Sequence, residues 1–200
     1  MLPNMTTTLR ALIGVAMLAT MHAADTKKPE PFEDALRDAV KEYRAGKPDK
    51  AREALDKASA ILDRLRSGKV ANTFPDAPEG WTAGEVEKSD MIGGGRTVKK
   101  TYLEKASRKE IVLEVIYDSP FCKLAMGLAS NDMIAESQGF KIRKIGNDPA
   151  LLKEAVGGGE LNLPVDENTL VKLTGKGGAG EKELLALARD VDRHALKQLK

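Results

Sequence analysis

The sequence predicts an α+β fold, in which an N-terminal helical hairpin precedes a mostly antiparallel sheet covered by helices. Three observations carry this. Apolar side chains recur at helical spacing between residues 32 and 66. From residue 82 onward they alternate in short runs separated by glycine-rich turns. The composition of the 200 residues, 42% hydrophobic and 31% charged, fits a globular chain and excludes a membrane bundle, a collagen-like rod and a fully disordered chain. The 32 basic and 30 acidic residues leave a net charge of +2, which carries no bulk signal for nucleic-acid binding. Aromatic content of 4% argues against an aromatic-rich ligand cleft.

Residues 1–24 read as a signal peptide. Arg10 supplies the positive start, residues 11–19 form an uncharged apolar stretch, and Ala23 and Ala24 offer a cleavage site. The apolar stretch falls short of the roughly 20 residues that span a bilayer. The expected location is periplasmic or extracellular, and the Lys/Glu/Ala-rich chain suggests a bacterial source. Residues 25–31, charged and carrying Pro29 and Pro31, form a linker.

The hairpin occupies residues 32–68. Phe32, Ala35, Leu36, Ala39, Val40 and Tyr43 make one helical stripe, and Ala51, Ala54, Leu55, Ala58, Ile61, Leu62 and Leu65 make the second. Gly46 suits a left-handed helix end and Pro48 the first turn of the next helix. Ser67-Gly68 is expected to stop it. The run Tyr43-Arg44-Ala45-Gly46-Lys47-Pro48-Asp49-Lys50-Ala51, followed by Ala54, Leu55 and Ala58, resembles a single tetratricopeptide-type repeat. That resemblance implies a hairpin docked on its own domain or on a second copy, because repeat arrays need about three units.

A proline-rich joint, Phe74 to Trp81, leads into an α+β sandwich domain at residues 74–200. Strands are predicted at 82–89, 96–105 and 109–118. Pro120 then opens a helix to residue 131, with Phe121, Leu124, Ala125 and Leu128 inward. A short helix is predicted at 133–137. Further strands follow at 139–145, 150–156, 160–165 and 169–174, and a closing helix runs from 180 to 199. Gly80-Trp81 entering the first strand, the helix at 120–131 and the closing helix resemble the α/β sandwich of the extrinsic photosystem II subunit family. The Gly-Trp start and the closing Glu-Leu-Leu-Ala-Leu-Ala run are also similar to a group of exported bacterial proteins. No functional residue carries over from either resemblance.

Candidate chemistry is sparse. Gly175-Lys176-Gly177-Gly178-Ala179-Gly180 satisfies G-x-G-x-x-G, but the second parallel strand and acidic residue of a dinucleotide site do not follow. Glu181 and Glu183 would repel a phosphate, so the run is read as a loop. The triplets Gly93-Gly94-Gly95 and Gly157-Gly158-Gly159 are read as turns. Cys122, one turn into a helix, has His194 as its conceivable catalytic partner, but packing suits it better. No zinc set, calcium loop, serine elbow or acylation motif is present in the sequence, so no metal, nucleotide or other cofactor is expected.

The patterned candidates are cationic. Lys99, Lys141 and Arg143 lie on predicted strands, and neighbouring strands would give them one basic face. The expected function is therefore an exported noncatalytic binding or interaction module of the cell envelope. Its expected partner is an anionic envelope component, met by Lys99, Lys141 and Arg143, or a protein. A protein would meet the hairpin stripe at Leu36, Val40, Leu55 and Leu62. The alternative is a hydrolase using carboxylates or Cys122/His194.

Overall fold

The computed structural model describes residues 31–199; the signal segment and residues 25–30 of the linker lie outside them. Two helices open the described chain, α1 (Pro31–Arg44) and α2 (Pro48–Ala71). Between them Gly46, at φ 71°, takes the left-handed position. Its N–H donates to the Tyr43 carbonyl and the Lys47 N–H to that of Glu42, both at 3.0 Å. That pattern closes the carbonyl end of α1 as the glycine and the following proline predict.

The second helix does not stop at Ser67-Gly68 but runs on to Ala71. A mid-helix glycine costs about 1 kcal/mol relative to alanine. The extra turn places Val70 in the main core, and Phe74 follows it there, so burial outweighs the propensity. The Thr73 hydroxyl then donates to the Val70 carbonyl at 2.7 Å. The buried Tyr102 hydroxyl donates to the Pro75 carbonyl at 2.8 Å, fixing the joint on the sheet.

Seven strands form one antiparallel sheet: β1 (Trp81–Asp90), β2 (Arg96–Glu104), β3 (Glu110–Tyr117), β4 (Lys141–Ile145), β5 (Asp148–Ala155), β6 (Gly158–Asp166) and β7 (Thr169–Lys176). Their order is β1-β2-β3-β7-β6-β5-β4. Two meanders, β1 to β3 and β4 to β7, are joined where β3 pairs with β7. Between the meanders α3 (Pro120–Ala129) and α4 (Asp132–Ser137) carry the chain to the far edge. Ser119 caps α3, accepting from the Phe121 N–H, and Asn131 caps α4, accepting from the Ile134 N–H.

The closing helix is two pieces, α5 (Glu181–Arg189) and α6 (Arg193–Lys197). Asp192 breaks it by capping α6, accepting from the Ala195 N–H at 2.9 Å, while Val191 turns into the core. Asp at such a position favours the cap over the helix interior.

Alternation along the strands gives the sheet two unequal faces. On the inner face Val98, Tyr102, Ile111, Leu113, Val115, Leu161, Leu163, Val171 and Leu173 pack under Val70, Phe74, Leu184, Leu187 and Leu196. On the outer face α3 presses Cys122 and Ala125 against Ile116 and Leu170. Ala129 and Ala135 meet Leu151 nearby. The small side chains of α3 face the sheet, while Phe121 and Leu124, expected inward, are exposed. Small contact residues allow the helix to approach closely and leave the large ones at its flank.

Candidate functional site

The three cations singled out in the sequence do not share a face. Lys99 pairs across β2 and β3 with Glu114, a register position of the outer face. Lys141 and Arg143 stand opposite Leu152 and Ala150 on the inner side of β4, the far edge strand. Parity correctly joined Lys141 with Arg143. It could not reveal that four strands, β3, β7, β6 and β5, would separate β2 from β4.

Each of the three is met by a carboxylate. Lys99 lies 3.1 Å from Glu87, and Lys141 2.7 Å from Glu154. The Arg143 Nε donates to Glu181 Oε1 at 2.5 Å and its Nη2 to Oε2 at 3.2 Å. That two-point contact holds the Glu181 carboxyl below the usual carboxylate range. Lys99 is one rung of an alternating row, Glu87–Lys99–Glu114–Lys172, running across four strands of the outer face. Alternation leaves little net field for an anionic polymer.

Cys122 and His194 are held apart by the sheet. Cys122 is fully buried under α3, its thiol donating to the Ile116 carbonyl at 3.6 Å, and burial pushes the thiol pKa up. His194 is exposed on α6, against the opposite face, with its Nε2 2.8 Å from the Gln198 amide. A raised, enclosed thiol is the reverse of an activated nucleophile. Among the described residues no group of three or more His, Cys, Asp and Glu is arranged to hold a metal ion.

The glycine-rich run closes a packed turn. The Gly178 N–H donates to the Gly157 carbonyl at 2.8 Å, so the β5–β6 turn and the β7 end lock together. A side chain at Gly177 would lie 2.7 Å from the Arg108 carbonyl oxygen. The Gly180 N–H donates to the Glu183 carboxylate at 3.1 Å. That carboxylate also accepts from Lys109 at 2.7 Å, so the start of α5 already carries its anion.

The remaining candidate is the hairpin. Helix α1 buries one side chain, Ala39, and α2 meets it through Ala51, Ala54 and Ala58. One residue beyond the contact positions Ala35, Ala39, Ala54 and Ile61 come Leu36, Val40, Leu55 and Leu62, all exposed. In an antiparallel pair an equal angular step on both helices turns to the same side. The four therefore line one side of the hairpin, joined by Tyr43, which is 73% exposed. One residue before the contacts stand Asp34, Asp38, Lys50, Glu53 and Lys57, which line a charged groove of 760 Å³ on the opposite side. The apolar side is bordered along α1 by Arg37, Lys41 and Arg44, with Glu33 at its start.

No protein-family model, no curated protein and no solved structure matches the chain. No helix among the described residues is long and apolar enough to cross a membrane.

Proposed function

We propose that this protein is an exported, noncatalytic interaction module of the cell envelope whose hairpin docks an amphipathic helix of a partner protein. The observation that carries this is the apolar side formed jointly by Leu36, Val40, Tyr43, Leu55 and Leu62. Neighbouring exposed side chains of that size on both helices of a pair mark a contact surface rather than scattered surface hydrophobes. The border chooses the partner. Arg37 is tied to Asp34, but Lys41 and Arg44 continue the border along α1 beyond Glu33, and they favour a helix with acidic residues beside its apolar stripe. A protein partner is favoured over an anionic polymer because Lys99, Lys141 and Arg143 each already face a carboxylate.

Two synthetic helices with the same leucine stripe, one flanked by Glu and one by Lys, test the reading by calorimetry. The Glu-flanked helix is expected to bind more tightly at low salt, and the preference to shrink as salt screens the border. The apolar part of the affinity should persist. Val40→Asp with Leu55→Asp should abolish binding, whereas reversing Lys99, Lys141 and Arg143 to Glu should leave it intact. If neither helix binds, or the double variant binds normally, the reading fails. Sedimentation showing a dimer that Val40→Asp dissociates would make a second copy the occupant instead.

A further inference from the structure

We propose that the outer face of the sheet holds a second, independent binding site, a groove beside α3 that takes a single-chain amphiphile with a zwitterionic head. The groove encloses 450 Å³ between the flank of α3 and strands β5, β6 and β7. Volumes of this order hold small ligands.

Two observations shape the occupant. The first is the wall. Helix α3 buries Cys122, Ala125 and Ala129, yet it turns Phe121, Leu124 and Leu128 along the groove. Phe121 is 53% and Leu124 61% exposed. Their i, i+3, i+7 spacing makes an apolar strip about 10 Å long. Ile116 and Leu170 continue it across the floor.

The second is the polar part of the floor, which is grouped at one place on β6 and β7. Asn162, only 8% exposed, donates its Nδ2 to Glu160 Oε1 at 2.6 Å. The other oxygen of Glu160 lies 3.2 Å from Lys172 Nζ. One carboxylate, one ammonium and one amide face the groove together. Glu160 and Lys172 are paired with each other, so they offer the groove a dipole rather than a net charge, and a head of a single sign would gain from one end of it and lose to the other. A head carrying both signs matches both. A peptide lying in the groove would bring amides along its whole length, whereas polar partners occur at one place. A molecule polar at one end and apolar along the rest meets that arrangement without burying unpaired groups.

The probes are dodecylphosphocholine, dodecyl sulfate and dodecyltrimethylammonium, each below its micelle-forming concentration, with an apolar hexapeptide as the fourth. Binding is followed by calorimetry and by methyl NMR shifts of Leu124 and Leu128. The zwitterionic amphiphile is expected to bind saturably at one site and to shift both methyls. Leu124→Asp, at an exposed position, should weaken it by about tenfold or more. Lys172→Met leaves Glu160 unbalanced and should turn the preference toward the cationic amphiphile. The hairpin variant Val40→Asp with Leu55→Asp should change nothing, which separates this site from the docking surface. Equal affinity for all three heads, no saturable binding, or full binding by Leu124→Asp overturns the proposal. Tighter binding of the hexapeptide than of any amphiphile overturns the ligand class.

Discussion

The carbonyl oxygen of Gly175 occupies the space that a Cβ on Gly158 would need. The obstacle is backbone, which cannot swing aside, so the two strand ends approach as closely as they do only because residue 158 is glycine. Gly158→Ala is expected to lower stability by about 2–3 kcal/mol. Gly157 has open space around it and a φ of 79°, so Gly157→Asn should lose less than about 1 kcal/mol. Urea midpoints of the two variants check the contrast.

Fragments test how α2 ties the hairpin to the sheet. Val70 and Phe74 belong to the core under the inner face. Residues 74–200 are expected to unfold cooperatively on their own, while residues 25–68 should be poorly structured without a partner. Residues 66–200, which keep Val70, should be more stable than 74–200. In the full chain Val70→Ala should cost about 2 kcal/mol, read from the same denaturation curves.

Cys122 should be silent to thiol reagents until the fold opens. Its side chain is fully buried and burial raises its pKa. The expected result is labelling at the rate of opening rather than at the rate of an exposed thiol. Cys122→Ser should destabilise by about 0.5–2 kcal/mol and leave helix docking unchanged.

Acid should loosen the start of α5 in a predictable sense. The Lys109 ammonium donates to Glu183 and, with the Gly180 N–H, holds its carboxyl below the usual range. A carboxylate with a lowered folded pKa stabilises fully above its unfolded value, about 4.3, and loses that contribution as pH falls through the folded value. The stability of the natural protein should therefore fall more steeply below about pH 4 than that of Glu183→Gln. The two curves should converge at low pH.

Much of the fold was legible because local chemistry agreed with it. Gly46 with Pro48 marked the hairpin turn, Pro120 marked a helix start, and Ile111, Leu113, Val115 and Tyr117 marked the central strand with its inner face. Gly68 and the 180–199 segment misled because the deciding terms lie outside the segment: the core that receives Val70, and the role of Asp192 as a cap. The basic face failed for a different reason. Parity assigns Lys99, Lys141 and Arg143 to faces of their own strands, but strand order decides which faces and edges coincide. The outer groove had no sequence signal of its own. Phe121, Leu124 and Leu128 look like a core stripe, and only Cys122, Ala125 and Ala129 beneath them show that the core was already filled.

The joining of two meanders at β3 and β7 has a kinetic meaning. Within each meander, successive strands are closed by short turns, and such pairings form early because little chain is immobilised. The ladder that brings Tyr117 opposite Thr169 must instead close across α3, α4 and three intervening strands. Loop-closure entropy rises only slowly with length, so this join burdens the rate of folding more than its equilibrium. The seam between Leu113 and Leu173 thus sets the pace: before it forms, each half-sheet carries an open edge at the strand that the other will cover.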